Sequence, residues 1–570
     1  MIQSGRLIVV YRADPHERYS WLPPLCPGDV TVALDELAGA DLAERQPLAF
    51  DQLASWEERS AVEHHVNELL GAIAAHPACA AIGHAGLRLI DFAEYRLRSE
   101  VVRLLRGWTL ARAGVGVGEL ICDPALPPAF EIGARAGLGL DPRMTAYVLP
   151  PALPGSRSSR AVARQLTRIV AATARPERVR VAAVAAGKLA LALGSLPAAD
   201  LRAAGVGLMG FPGLDHGNGL LLALRRRLPL LPTYGPAHPG VGASVSLPDR
   251  LDLEGEAALD RALTLLVGNV LAAAAPELAV AVGALAGLDR APSLRAVLLP
   301  SAAYGASRLL IEWAHQRNLR VGAMQHGIYA FREGDGGDRR ADVVFGWGEG
   351  TVEQIAGWPE SRPTVRPVGV PGLIAPADRS RRAAPDALVR RGLIATSNTV
   401  DTPLAPVAFC EAFIETLAPG IERLVGTGVE VELRPHPSEE PERYRRLLRA
   451  RGLDVRVTSE GPFVEAIAGT DILISSASSV AFEAAALGVP VLLWLGAAPR
   501  WVRAEHLLPP WSESLPGTFQ TTEDFSLLVG DLLERPAEGW RAAYELAGRL
   551  ARYAQPFDAA RFAAALGELG

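Results

Sequence analysis

Two histidines, each set among residues suited to anion chemistry, organise the sequence. His326 stands in Met324-Gln325-His326-Gly327-Ile328-Tyr329 and His436 in Arg434-Pro435-His436-Pro437. An imidazole at the end of a buried strand can aim one N–H at a phosphate or act as a general base. Gln325 adds an amide beside the first histidine. Arg434 adds a guanidinium fork that matches phosphate oxygens. The prolines keep the second stretch from continuing as helix, and Gly327 permits a sharp turn or a close approach. Further along comes Ser475-Ser476-Ala477-Ser478-Ser479-Val480-Ala481-Phe482-Glu483. There a strand turns into a helix, so the Ser478 and Ser479 hydroxyls join the unpaired N–H groups of a first turn, an anion site. Glu483 falls one turn into that helix, placed to accept from a ribose or to fix the serine loop. Each part has a plainer reading: a helix cap for the serines, a satisfied structural histidine for His436 or His326. The three parts in this order favour phosphate binding.

The elements that would position these residues are strands alternating with helices. Short apolar runs at 119–122, 179–185, 205–210, 295–299 and 320–324 are each followed by a loop and a helical pattern. A second series reads 342–347, 365–370, 392–396, 429–433, 455–458, 472–474 and 491–494. Such alternation predicts doubly wound parallel sheets, whose ligands bind at the carboxyl ends of strands. Asn398 lies in the loop after 392–396 and joins the donor-site candidates. Residues 1–115 begin with a strand at 6–11 and then turn helical over 55–75 and 89–111. His64 and Glu68 stand one turn apart there, but no third metal ligand follows at a telling distance. Residues 331–341 are charged and Gly-rich, which reads as a surface loop, with a lid beside the cleft as the functional alternative.

Bulk properties set limits. At 570 residues the chain is too long for one core, and a prior of ~150 residues per domain suggests roughly two to four. Net charge of −6 and a pI near 6.1 give no global pull toward nucleic acid. Arginine is heavily used and lysine nearly absent, as in GC-rich coding. The cysteines Cys26, Cys79, Cys122 and Cys410 are scattered, which fits a reducing cytosol. No signal peptide is read at the N-terminus. The one long apolar stretch, 265–288, is cut by Pro276-Glu277 into pieces shorter than the ~20 residues of a membrane span, so buried helices are expected, with an interfacial helix as the alternative.

The order QHG, then RPHP, then D-I-L-I-S-S-A-S-S-V-A-F-E-A-A-A-L-G-V-P-V resembles bacterial surface-polysaccharide glycosyltransferases of GT-B fold. That group includes capsule Kdo- and sialic-acid-transferring enzymes and the CDP-glycerol glycerophosphotransferases of wall teichoic acid. The resemblance is good over 292–495 and covers the N-terminal third only in texture. It implies that His436 contacts the donor phosphate, that Ser478 and Ser479 occupy the place of a phosphate-binding Ser/Thr pair, and that His326 matches the HG histidine. Glycerophosphotransferases carry an aspartate two positions before the paired serines. Here that place is Ser476, which leaves a CMP-linked acidic sugar ahead as donor. Sialyltransferases carry an acidic pair before a glycine. Asp215-His216-Gly217 has one acid, which makes Asp215 the candidate base and Asp123 its competitor.

The resulting expectation is an α/β chain of GT-B type, with two Rossmann-like parallel-sheet domains facing a cleft and a helical N-terminal elaboration. The borders expected are 1–115 for an α/β elaboration, with membership of the next domain as the alternative, 116–335 for the acceptor domain, 342–535 for the donor domain and 536–570 for C-terminal helices returning to the first domain. The expected enzyme is a nucleotide-sugar-dependent glycosyltransferase, with a glycan, lipid-linked or protein acceptor and no nucleic acid partner. It needs no metal and no cofactor beyond the nucleotide-sugar substrate, because cations, hydroxyls and a helix N-terminus can stabilise departing CMP. The expected location is the cytoplasm, with peripheral contact to the inner membrane or an assembly complex as an extension. A CDP-glycerol-type glycerophosphotransferase, a UDP-sugar 2-epimerase and a non-catalytic scaffold are the competing readings. Neither a Walker A element nor a dinucleotide fingerprint nor a GxSxG elbow is present.

Overall fold

The computed structural model describes residues 5–10, 21–24, 26, 29–34, 42–45, 48–49, 56–84, 87–113, 117–124, 126–141, 178–211, 224, 227–229, 231, 247–289, 291–302, 305–329, 338–358, 363–373, 388–397, 409–437, 439–461, 463–495 and 508–570. They divide into two compact units. One gathers Met1–Pro150, Gly242–Pro276 and Thr399–Ala412, and the other Pro151–Val241, Glu277–Asn398 and Phe413–Gly570.

The first unit opens with three strands, β1 (Gly5–Val10), β2 (Val30–Ala33) and β3 (Leu48–Ala49). Next come α1 (Trp56–Ala75), a hairpin of β4 (Gly83–His84) and β5 (Leu87–Arg88), and α2 (Leu89–Ala113). They are followed by β6 (Val117–Cys122) and α3 (Pro128–Gly137). The sheet is parallel, in the order β3-β2-β1-β6. Leu7, Ile8, Val9 and Val10 are fully buried, as a parallel strand covered on both faces requires. Helices α2 and α3 bring their backbones nearly together. A Cβ on Gly133 would stand 1.8 Å from the Leu104 carbonyl oxygen, and one on Gly107 2.0 Å from that of Phe130. The elaboration is therefore an α/β layer with its own sheet. The border expected at 115 falls inside that sheet, because Leu120 pairs with Leu7. The change of texture at 116 is the return of a crossover to lie beside β1.

The second unit holds two parallel sheets of six strands. The first contains β7 (Val181–Val184), β8 (Val206–Met209), β9 (Ala296–Leu299), β10 (Arg320–Met324), β11 (Val343–Gly346) and β12 (Thr364–Pro367). Its order is β12-β11-β10-β9-β7-β8. The second contains β13 (Arg391–Ala395), β14 (Glu430–Arg434), β15 (Arg456–Val457), β16 (Ile472–Ser476), β17 (Val491–Trp494) and β18 (Thr518–Phe519). Its order is β15-β14-β13-β16-β17-β18. The expected domain start at 342 is corrected by the ladders: Gly322 pairs with Val343 and Val343 with Thr364, so β11 and β12 complete the first sheet. A strand–helix unit looks the same locally whichever sheet it joins.

Four helices come next in chain order. α4 (Gly187–Ser195) follows β7. α5 (Ala257–Leu288) carries Pro276 inside it. The cut expected there does not occur. Pro276 and Ala272, whose carbonyl loses its partner, are both exposed, so water can take the bond. Among the described residues α5 is the one helix long and apolar enough to cross a membrane, and 56% of its most apolar window is buried. α6 (Gly305–Gln316) buries Ala306, Leu309, Leu310, Trp313 and Ala314, the face its spacing predicts. α7 (Ser479–Ala486) follows β16.

The chain then crosses between sheets. α8 (Pro536–Leu550) buries Leu546, Ala547 and Leu550 in the core of the second sheet. Beyond it the Gln555 N–H donates to the Trp347 carbonyl (2.9 Å), and the Val370 N–H to the Gln555 carbonyl (2.8 Å). α9 (Ala559–Leu569) then inserts Phe562, Leu566 and Leu569 among Val181, Leu298, Met324 and Phe345 of the first sheet. Of the expected surface loop at 331–341, residues 331–337 lie outside the described residues. Asp338 is buried, accepting from the Ala302 N–H (2.7 Å) and the Tyr329 hydroxyl (2.5 Å).

Candidate functional site

In an open parallel sheet the crevice for ligand lies at the carboxyl ends of strands, where the strand order reverses direction. In the first sheet this place is between β7 and β9, and in the second between β13 and β16. Gly187 and Lys188 follow β7, residues 325–329 follow β10, and Thr396 and Ser397 follow β13. The segment 435–437 follows β14, and Ala477 to Ser479 follow β16.

The two carboxyl edges touch. The Ile328 N–H donates to the Ser479 hydroxyl oxygen at 3.1 Å, and Lys188 Nζ meets Glu483 Oε1 at 2.6 Å. A Cβ on Gly327 would lie 3.0 Å from Ser479 Oγ, a tight contact that the serine hydroxyl would have to give way to. This is the GT-B arrangement. It combines two Rossmann-like sheets, their carboxyl edges opposed, with a last helix returned to the first sheet.

On the first sheet His326 is exposed, while Gln325 is fully buried. The Gln325 amide oxygen accepts from the Trp347 backbone N–H (2.7 Å) and the Thr351 hydroxyl (3.0 Å), and its amide nitrogen donates to the Gly327 carbonyl (2.9 Å). The Trp347 indole N–H donates to the Gln325 carbonyl at 2.7 Å. Gln325 thus shapes the loop from beneath, and the expectation that it contacts the donor is corrected.

On the second sheet the His-Pro turn is pinned from inside. The His436 backbone N–H donates to Thr396 Oγ1 (2.9 Å) and Glu439 Oε2 (3.1 Å). Thr396 donates its hydroxyl to Glu439, and so does Tyr444, at 3.0 Å to Oε1. Glu439 is buried and His436 half-buried, so the carboxylate holds the backbone while the imidazole sits at the edge. Arg434 does not project freely as expected. It is 9% exposed, donates to the Gly461 carbonyl, and lies 5.7 Å from the Phe463 ring centroid. Its guanidinium braces the loop after β15.

Ser478 occupies the N-cap of α7 with extended backbone, but its side chain makes no capping hydrogen bond. The Ser479 hydroxyl oxygen accepts from the Ile328 N–H. Ser476, in the place of the glycerophosphotransferase aspartate, is fully buried and donates to Ser397 Oγ at 3.0 Å. Glu483 is held by Lys188 instead of standing open to a ribose. Sequence reasoning missed Lys188, Trp347 and Glu439. A signal existed for two of them: Lys188 is the only lysine in the sequence, and Glu439 follows His436 by three residues.

No known family's sequence profile matches the chain, and no curated protein matches it in sequence. Among solved structures it is similar to the wall teichoic acid polymerase TagF, at 10% identity and a TM-score of 0.37, covering 73% of this chain and 94% of that one. It is also similar to MurG of Acinetobacter baumannii, at 16% and 0.38, covering 68% and 99%. A third is a UDP-GlcNAc 2-epimerase from Neisseria meningitidis bound to UDP-GlcNAc, at 11% and 0.39, covering 69% and 98%. The fold stands on the strand orders, not on these distant likenesses.

Asp215 and Asn398 lie outside the described residues. Asp123 is buried at the carboxyl end of β6, in the first unit. Beside it, burial pushes the Cys122 thiol up to about 12, and the Glu131 carboxylate adds to the shift. At pH 8 a thiol with that pKa is ionised to about one part in ten thousand. Thiol titration of the native protein at pH 8 should therefore find exposed Cys26 reactive and half-buried Cys122 far slower, with denaturant removing the difference. Rapid native alkylation of Cys122 would contradict that burial.

Proposed function

We propose that the chain is a nucleotide-sugar-dependent glycosyltransferase of bacterial surface-glycan synthesis, with the donor phosphate at the start of α7. The observation that carries this is the meeting of the two carboxyl edges at Ser479. It brings the loop of His326, the uncommitted cap Ser478 and the first N–H groups of α7 to one place. The reading adds His436 from the end of β14, its backbone fixed by Thr396 and Glu439. Charge that develops on a departing nucleotide phosphate would meet preorganised hydroxyl, imidazole and helix N–H donors. An acceptor hydroxyl still needs a base. His326 is the described candidate, and Asp215 is the alternative from sequence.

A CMP-linked acidic sugar is the donor we favour over CDP-glycerol, since Ser476 replaces the expected aspartate and is committed to Ser397. The test is thermal shift and calorimetry with CMP, CDP, UMP and UDP. A ligand specific to the native state adds about 2.7 kcal/mol of stability at a hundredfold excess over its Kd. Selective CMP binding is expected. Preference for UDP would point to a UDP-sugar transferase or epimerase, preference for CDP to glycerophosphate transfer. Binding of none would leave the scaffold reading.

A further inference from the structure

Of the chain's 57 lysines and arginines, Lys188 alone is a lysine. It sits where the first sheet's strand order reverses, in the first turn of α4. Its ammonium is 2.6 Å from Glu483 Oε1 and 4.5 Å from the centroid of the Trp347 ring. Both partners of the ion pair are largely shielded, at 22% and 15% side-chain exposure. Trp347 is the residue whose indole and backbone N–H groups hold Gln325. Glu483 lies four residues after Ser479, about 6 Å along the axis of α7 at 1.5 Å per residue. Contacts thus run in a ring from Lys188 through Trp347, Gln325, the 327–328 turn and Ser479 to Glu483 and back.

An ammonium is a compact charge on a flexible four-carbon stem, whereas a guanidinium is a broad planar fork. An arginine also lies over an indole in this chain, Arg317 on Trp313 while paired to Asp289. What the ammonium adds is a compact charge that turns about its stem to a new anion nearby without the geometric demand of a planar fork. In a chain that otherwise uses arginine, this place alone carries the compact ammonium.

We propose that Lys188 is the first sheet's contribution to donor binding: held on Glu483 and Trp347 in the ligand-free protein, it transfers to the nucleotide phosphate at the start of α7. Glu483 is then a competitor that sets how much anion is needed to draw the lysine away. This rests on the donor site proposed above. It also joins donor binding to the opening of the salt bridge between the two sheets.

The test titrates CMP, CDP and UDP into wild type, Lys188→Gln, Glu483→Gln and the double variant, with unfolding midpoints measured for each. Lys188→Gln should weaken binding of the preferred nucleotide at least tenfold. Glu483→Gln should tighten it severalfold, and the double variant should bind like Lys188→Gln, because the gain needs the lysine. A measurement on wild type needs no variant. With one lysine in the sequence, amine acetylation read by peptide mass reports Lys188 directly, and the nucleotide should slow it. Weakened binding in Glu483→Gln would show a carboxylate that itself holds ligand and would overturn the proposal. So would unprotected acetylation, or wild-type affinity in Lys188→Gln. In those cases nucleotide binding that still depends on His436 would leave the donor site standing. If wild type binds no nucleotide, the donor site and this inference fail together.

Discussion

A chain shortened to end at Gln555 is expected to lose its first six-stranded sheet, although every strand of that sheet remains. α9 supplies Phe562, Leu566 and Leu569, all buried, to the core beneath β7, β9, β10 and β11. Phe562 meets Phe345 edge to face, with ring centroids 5.3 Å apart. Removing one such side chain from a core costs about 2–5 kcal/mol. A whole domain is stable by only about 5–15 kcal/mol. Losing three together therefore brings the sheet to the edge of unfolding and bares apolar surface on its face. The shortened protein should be insoluble, or should melt far below the full chain. Phe562→Ala in the full chain should cost about 3–5 kcal/mol, read as a lower denaturation midpoint. An unchanged midpoint in both would mean that the helix only rests on the sheet.

That dependence was only partly visible in the sequence. The tail reads as amphipathic helix, but periodicity does not name the sheet that receives it. Strands 320–324 and 491–494 match their sequence boundaries because each is a buried apolar run with a clear stop. Val30–Ala33 and Thr518–Phe519 escaped because runs so short gain identity only from the neighbour they pair with. The same limit applies at the site. A glutamine beside a histidine reads as a ligand contact, yet the partners that occupy Gln325 lie 22 and 26 positions on, in Trp347 and Thr351. Arg434 is bound to Gly461, 27 positions away. That the histidines follow strands and the serines open a helix was legible because strand ends and helix starts are local. The side chains committed to internal support were not, because their partners come from other strands. Lys188 lies between these cases: its position at a strand end is local, but its meaning needs Glu483 from the other sheet.

The same division between edge and support gives the second large effect. His436→Ala should weaken nucleotide binding and abolish transfer while leaving folding nearly intact. The imidazole is at the half-buried edge, and the His436 backbone N–H stays tied to Thr396 and Glu439 whatever side chain it carries. A hydrogen bond to a charged group contributes about 1.5–3 kcal/mol, so its loss weakens phosphate binding roughly ten- to a hundredfold. Glu439→Ala should behave differently. It leaves the Tyr444 hydroxyl, the Thr396 hydroxyl and part of the His436 N–H without their acceptor in a buried place. Each buried polar group so stranded costs about 1–3 kcal/mol. That variant should lose midpoint and affinity together, because the turn that aims the imidazole is no longer held. Titration and denaturation of the two variants side by side separate the roles. Wild-type affinity in His436→Ala at matched stability would remove the imidazole from the site. Loss of stability in His436→Ala comparable to that in Glu439→Ala would make the histidine part of the support and leave Ser478, Ser479 and the start of α7 to hold the phosphate alone.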